Sequence, residues 1–325
     1  MEFMEPGDIL LYSKPVYGGT DHFINHFLKK FKIDGIGFMA GDSEQTIIER
    51  IEREGKGHRI KMIHIETPAN PTNALIDIEM CARIKSHFST KEKEVILSVD
   101  NTYMGPLWQH PLKHGADIVL YSATKYIGGH SDVIAGACLG SKELIARVKG
   151  LRTFLGNMAG PWTGWLLMRS LETLKVRMDQ QASNAEKVAS FLNTHPQVEN
   201  VYYLGNMAKH GTDRDKAIIE RQFSSYGAMI AFDVKGGEAE AFAFLNNLKL
   251  IKLAVSLGGT ESLAEHPQTM THADVNPEEK IAMNITEKLV RLSIGVENHI
   301  DLINDISQAM ETTKLVADEA LLEKV

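Results

Sequence analysis

Short apolar runs and longer amphipathic stretches alternate along the first half of the chain. Residues 8–12, 60–65, 95–99 and 118–121 are apolar runs of strand length, rich in Ile, Val and Leu. Phe23, Phe27 and Phe31 recur at helical spacing after the first run and predict an amphipathic helix. Residues 42–54 predict a surface helix, with Asp42 and Gln45 spaced for a capping box and Gly55 and Gly57 placed to end it. Residues 74–88 carry apolar positions at helical spacing, and the basic stretch 89–93 closes them. This alternation of strand and helix predicts an α/β fold built on a mostly parallel sheet.

The second half reads differently. Residues 141–148 predict a helix. Pro161, suited to a first helical position, opens a long helix striped by Trp165, Leu166, Met168, Leu171 and Leu174. The pattern continues past Met178 towards Phe191 and predicts a bridge between two domains, with the boundary near Lys175. Residues 1–175 then form the α/β domain and residues 176–325 a smaller α+β domain. In the latter, strands are expected at 228–234, before Ser256 and at 289–294, and helices at 238–246 and 300–310. The polar tail after Glu311 is expected to fray or form a loose helix.

Two of the apolar runs end in chemistry. The run at 95–99 leads into Asp100; the run at 118–121 leads into Ser122, Thr124 and Lys125. Ligands of α/β folds bind at the carboxyl ends of strands. Pyridoxal phosphate needs an amine for its aldehyde, a carboxylate to keep its pyridine nitrogen protonated, and donors for its phosphate. Lys125, Asp100, Ser122 and Thr124 meet those needs, although a lysine after a strand reads equally as a solvated surface residue. Tyr17, in the Gly-rich turn Y-G-G-T, reads as a packed turn tyrosine. Asn70, between the prolines of E-T-P-A-N-P, reads as a turn former. Arg291 sits mid-strand in V-R-L-S, where a guanidinium needs a partner: a bound carboxylate or an ion pair on a solvated face. Gly128 and Gly129 suit close backbone approach beside a ligand, or a tight turn. His110 and His114 stand four apart without an HExxH motif or a third ligand, so no metal is expected.

The motifs carrying these residues resemble the Cys/Met-metabolism (trans-sulfuration) family of pyridoxal-phosphate enzymes. That family includes cystathionine γ-synthase, cystathionine γ-lyase, methionine γ-lyase and O-acyl-homoserine sulfhydrylase. The motifs are Y-G-G-T at 17–20, E-T-P-A-N-P at 66–71, V-D-N-T-Y at 99–103, S-A-T-K-Y-I-G-G-H-S-D at 122–132, A-V-S-L-G-G-T-E-S-L at 254–263 and V-R-L-S-I-G-V-E at 290–297. They stand in the family's order and cover essentially the whole chain. The resemblance implies a fold-type I pyridoxal-phosphate enzyme, with a mostly parallel mixed-sheet domain and a smaller α+β carboxy-terminal domain. It implies Lys125 as the Schiff-base lysine and proton carrier, Asp100 at the ring nitrogen, and Ser122 and Thr124 at the phosphate. By the same resemblance Tyr17 is expected to stack on the ring and to protonate a departing thiolate. The resemblance also implies Asn70 near the cofactor's phenolic oxygen and the substrate carboxylate, Arg291 as the grip on that carboxylate, and Ser256 as the residue that orients both lysine and carboxylate. Glu261, in the same loop as Ser256, is a supporting candidate.

The implied activity is carbon–sulfur lyase or γ-replacement chemistry on methionine, cystathionine or O-acyl-homoserine type substrates, in a homo-oligomer (a dimer of dimers in the family). Gly19 stands where some methionine γ-lyases carry cysteine, which weighs against a methionine-degrading assignment. Family members carry a further segment ahead of the region matching residues 6–8. It holds a Ser-Gly-Met-type phosphate loop and a Tyr-x-Arg pair that reaches the neighbouring subunit. Neither motif occurs in this sequence, so an amino-terminally shortened member is expected. Two alternatives stand beside the enzyme: a catalytically weak relative acting as a binding or assembly partner, and an aminotransferase of the same fold type.

Composition narrows the partners. The chain has 325 residues and a net charge of −7, without a long basic run, which argues against nucleic acid or an anionic membrane as partner. Two cysteines, Cys81 and Cys138, lack paired-motif spacing and are expected as buried thiols in a reducing compartment. Residues 1–8 lack the build of a signal peptide, and no apolar run is long enough to span a bilayer. A cytoplasmic location is the expectation.

Overall fold

The computed structural model describes residues 1–273 and 275–322, with side chains of the last helix through Thr313. The larger sheet has six strands: β1 Ile9–Lys14, β2 Asp34–Met39, β3 Ile60–Glu66, β4 Ile96–Asp100, β5 Ile118–Ser122 and β6 Gly136–Gly140. Their spatial order is β2-β1-β3-β4-β5-β6, parallel throughout except for the antiparallel β5–β6 pair. The apolar faces of β1, β3 and β4 pack under the helices Glu44–Arg53 and Ile78–Phe88, joining Ile63, Ile65, Leu97 and Val99 to Ile47, Ile51, Cys81 and Ile84. Each such side chain, once buried, contributes about 1.5–3 kcal/mol. Asp77 fixes the start of the second helix by accepting the Glu79 and Met80 amides at 3.0 and 3.3 Å.

The second sheet has five strands: β7 Val198–Tyr202, β8 Met229–Val234, β9 Lys252–Leu253, β10 Leu263–Glu265 and β11 Leu289–Ser293. Their order is β7-β8-β11-β10-β9. One large core continues from this sheet onto the first: Phe232, Val290 and Leu292 share it with Leu75, Tyr103, Met104, Trp108 and Tyr126.

Several expectations from the sequence need correction. The helix expected at 42–54 runs Glu44–Arg53. Ser43 caps it by accepting the Thr46 amide at 3.1 Å, and Asp42 closes the preceding turn on the Met39 amide instead. The segment after Tyr17 breaks into a short helix Gly18–His22, a π turn Phe23–Phe27 and a 3-10 turn Leu28–Phe31. The changed pitch turns Ile24 and Leu28 inward, while Phe23, Phe27 and Phe31 stack on one another outside. The long helix is interrupted, running Pro161–Leu171 and then Leu174–Leu192. At the break the Arg177 guanidinium donates to Ser170 O and Thr173 Oγ1, and Trp165, Met168 and Leu171 are exposed. The last helix is longer than expected, His299–Leu322; the rest of the tail expected to fray, residues 323–325, lies outside the described residues. The strand before Ser256 has only two residues. Cys81 is buried, but Cys138 is only half-buried.

Candidate active site

Three neighbouring parallel strands end in polar residues. Glu66 closes β3, Asp100 closes β4 and Ser122 closes β5, with Glu66 and Asp100 paired in register. The alternation that buries Ile65 and Val99 thus delivers functional groups at the strand ends. A cleft of about 280 Å³ opens there, lined by Tyr17, Glu66, Asn70, Asp100, Thr102, Tyr103, Ser122, Thr124, Lys125, Ile134, Val255, Leu257, Thr271 and Arg291. Residues of both sheets meet in it. Tyr17, Asn70, Asp100, Ser122, Thr124, Lys125 and Arg291, all singled out from sequence, are brought together.

Lys125 leaves the turn after β5 and donates from Nζ to Ser256 Oγ at 3.1 Å. Burial pushes its amine below the ordinary lysine range, and the Arg291 charge adds to the effect. The shift makes the neutral, nucleophilic form more accessible. Asp100 accepts the Thr102 amide at 2.9 Å, and Thr102 Oγ1 in turn accepts the Ser122 amide at 2.8 Å. Thr124 commits its hydroxyl to Ala135, donating to its carbonyl at 3.3 Å and accepting its amide at 3.0 Å.

Tyr17 is half exposed at the cleft mouth. A side chain at Gly19 would meet its ring at 2.7 Å, so a glycine there leaves room for the tyrosine. The Tyr17 amide donates to Glu66 Oε2 at 2.8 Å, and the Asn70 amide donates to Glu66 Oε1 at 2.9 Å. One buried carboxyl thus ties down two cleft loops. Burial and the Asp100 charge push it up to about 8. Next to it, burial keeps the His64 imidazole below its usual range. His64, Ser98 and Asp100 also line an adjoining cavity of about 570 Å³.

Arg291 is almost wholly enclosed, between the buried Val290 and Leu292. Its Nη1 donates to Asn70 Oδ1 at 3.0 Å and its Nη2 to the carbonyls of Val255 and Ser256 at 3.1 and 2.9 Å. Asn70 Oδ1 also accepts from the Tyr103 hydroxyl at 3.0 Å. The charge partner of Arg291 is Glu265, with Nη1 and Oε1 2.8 Å apart.

Two sequence candidates fall elsewhere or differ in use. Glu261 does not line the cleft; its carboxylate accepts from the Ser131 hydroxyl. Gly129 does serve close approach, but of the Arg177 guanidinium, which a Cβ there would meet at 2.0 Å. His114 pairs with Glu79 at 3.0 Å in a half-buried contact. Sequence reading missed Glu66, Tyr103, His64 and Glu265. Glu66 carried a signal, since it stands at a strand end just as Asp100 does. Glu265 lies in a three-residue strand that no periodicity reveals.

An amine of lowered basicity, a carboxylate, hydroxyls and a buried guanidinium around one cleft form a donor set suited to pyridoxal phosphate and an amino acid. The model of the family described as "Cys/Met metabolism PLP-dependent enzyme" matches residues 1–311. An L-methionine gamma-lyase of Treponema denticola is 41% identical over 307 residues, covering 94% of this chain and 73% of that protein. A cystathionine gamma-lyase of Bacillus subtilis is 40% identical, covering 96% of this chain and 78% of that protein. The crystal structure of cystathionine gamma synthase from Xanthomonas oryzae pv. oryzae superposes with a TM-score of 0.88 at 34% identity, over 97% of this chain and 78% of that one. With motifs, fold and cleft in agreement with these likenesses, the chain belongs to the Cys/Met-metabolism family of pyridoxal-phosphate-dependent enzymes.

Proposed function

We propose that this cleft carries out elimination or γ-replacement at sulfur-bearing amino acids of the methionine, cystathionine or O-acyl-homoserine type. The observation that carries the reading is the Lys125 amine, 3.1 Å from Ser256 Oγ, in a cleft shared with Asp100 and Arg291. Pyridoxal phosphate, when bound, draws electrons from the substrate's α-carbon so that a proton can leave it. Lys125 would hold its aldehyde end, Asp100 its ring nitrogen and Ser122 its phosphate, which Thr124 would reach by turning its hydroxyl away from the Ala135 carbonyl, with Asn70 beside its phenolic oxygen. Tyr17 closes the open face.

The residues then divide the work. Arg291 binds the substrate α-carboxylate, and Asn70 holds the guanidinium in place. Lys125, released in its neutral form, takes the proton from the α-carbon, gives it up away from that carbon, and then takes a proton from the β-carbon, whose electrons expel the γ-substituent. Ser256 keeps the lysine amine directed into the cleft. Tyr17, at the mouth, gives a proton to the departing thiolate. Release of the unsaturated product, which water hydrolyses to a 2-oxo acid and ammonia, is lyase activity; addition of a second thiol at the γ-carbon is replacement activity, and pocket shape decides between them.

The wider setting is part of the same proposal. The boundary between the cofactor-binding domain and the smaller domain falls near Lys175. Phe154, Leu155, Met158, Trp162, Trp165 and Met168, all exposed within one short stretch of chain, support a homo-oligomer. No helix among the described residues is long and apolar enough to cross a membrane, in keeping with work in the cytoplasm.

The test is a visible spectrum of the purified protein with added pyridoxal phosphate, before and after borohydride, followed by a peptide map. A band fixed by reduction onto Lys125 supports the reading. Label scattered over surface lysines, or no band, overturns it.

A further inference from the structure

Arg291 does not wait in the cleft as a free cation. Glu265 of β10 stands opposite it in register on β11, and the two side chains are 0% and 2% exposed. The ion pair is close but incompletely used. Glu265 Oε1 takes the Arg291 contact at 2.8 Å and a hydrogen bond from the Thr271 hydroxyl at 3.1 Å. Glu265 Oε2 and Arg291 Nε find no partner among the described residues. Buried ion pairs normally satisfy their remaining lone pairs and protons. An unfilled donor on the guanidinium fits a further acceptor arriving at Arg291. An unfilled oxygen on Glu265 has room for a proton.

Those two vacancies belong to one event. In the empty cleft Arg291 and Glu265 cancel each other's charge. A substrate carboxylate arriving at Arg291 becomes the second carboxylate on one guanidinium, in a site with little water, and two such groups do not both stay ionised without cost. We propose that Glu265 is a positioning residue that couples carboxylate binding at Arg291 to uptake of one proton, taken from solvent onto its unpartnered Oε2. This rests on the reading that Arg291 receives the substrate α-carboxylate.

The groups facing Glu265 are consistent with a carboxyl poised to titrate. Arg291 comes from β11, Lys125 from the turn after β5, Thr271 from the segment after β10, and Tyr103 from the segment after β4. Burial pushes the Glu265 carboxyl up, and Arg291, the Thr271 hydroxyl and Lys125 oppose that push. A second carboxylate on Arg291 shares the largest of the opposing influences and tips the balance towards the protonated acid.

The experiment is calorimetric binding of 4-(methylthio)butanoate to the cofactor-loaded protein, in buffers of differing ionisation heat, from pH 7 to 9. This probe is methionine without its amino group, so no amine titration intrudes. The wild type should take up a proton on binding wherever Glu265 of the empty protein is ionised, up to one per ligand, with Kd weakening by up to about tenfold per pH unit. Glu265→Gln should take up none and bind with a flat pH profile, tighter than wild type at pH 9. Thr271→Val, which deletes the donor to Glu265 without touching the ion pair, should move the onset of uptake to higher pH; it serves if Glu265→Gln does not fold. Uptake unchanged in both variants overturns the proposal. Arg291→Ala separates the two readings: lost binding leaves the role of Arg291 standing whatever Glu265 does, and unchanged binding overturns both.

Discussion

The hydroxyl of Ser256 and the amine of Lys125 are 3.1 Å apart although 131 positions separate them in the chain. The contact joins the turn after β5 of the first sheet to the loop after β9 of the second. It leaves Lys125 one fixed partner in the cleft and fixes the direction of its amine. Ser256→Ala should leave the fold intact and lower kcat about tenfold, the worth of one hydrogen bond to a group that carries charge during the cycle. Lys125→Ala should abolish turnover altogether. Steady-state kinetics beside a thermal melt check both, and unchanged turnover in Lys125→Ala would sink the mechanism.

Asn70 holds two buried donors with one oxygen, from Tyr103 and Arg291. Asn70→Ala strands the Tyr103 hydroxyl and leaves Arg291 Nη1 with Glu265 alone. Each unsatisfied buried group costs about 1–3 kcal/mol, so the variant should melt lower than wild type. Because Arg291 loses a restraint, KM should rise more than kcat falls. An unchanged KM would show that Asn70 does not orient the guanidinium.

How far the site was legible before the structure can be argued from these same residues. Asp100 and Ser122 close buried apolar strands and Lys125 stands just after one, so their place at one end of the sheet follows from pattern. Arg291 was visible because a charge interrupts V-L-S surroundings. Its partner was not, because Glu265 lies in a strand of three residues whose pairing depends on contacts far along the chain. The edge strands β2 and β6 escaped for a different reason: D-G-I-G-F-M and G-A-C-L-G carry glycines and little alternation. The outward Phe23, Phe27 and Phe31 show the remaining limit. Helical spacing identifies a stripe but not a local change of pitch.

Glu66 makes stability fall with rising pH. Its carboxyl is raised from 4.5 to about 8 in the folded protein, so between those values the folded state holds a proton that the unfolded state has lost. Stability should therefore decline through that window. Glu66→Gln, isosteric and uncharged, should flatten the decline; its amide nitrogen cannot accept one of the two backbone amides that Glu66 holds, so it should also lower stability by a pH-independent amount. Parallel melts of the two proteins from pH 5 to 9 decide the matter.

His272 acts in the opposite direction. Burial and the Arg291 and Lys280 charges lower its imidazole from 6.5 to about 4. Here the unfolded state binds the extra proton between those values, so stability should be lost as pH falls from 6.5 to 4. The loss from this one group is on the order of 3 kcal/mol at most. His272→Gln should remove that acid sensitivity, whatever its effect at neutral pH. A variant as acid-labile as wild type would assign the loss to other groups.

Gly129 is where backbone geometry can be tested most directly. Its φ is +72, and a Cβ built on it would lie 2.0 Å from Arg177 Nη1. That nitrogen is already committed, donating to the Tyr126 carbonyl at 2.8 Å, while the other guanidinium nitrogens hold Ser170 and Thr173 at the helix break. Arg177 cannot retreat without losing those bonds, and alanine in the left-handed region adds strain of its own, about 1 kcal/mol. Gly129→Ala should therefore destabilise by more than that strain alone, by roughly 2–4 kcal/mol once a buried hydrogen bond is also broken. Because Tyr126 directly follows Lys125, turnover should fall too. Combining it with Arg177→Ala gives the decisive measurement: if the clash is the cause, the double variant should be little worse than Arg177→Ala alone, whereas additive losses would place the cost in the backbone of the glycine.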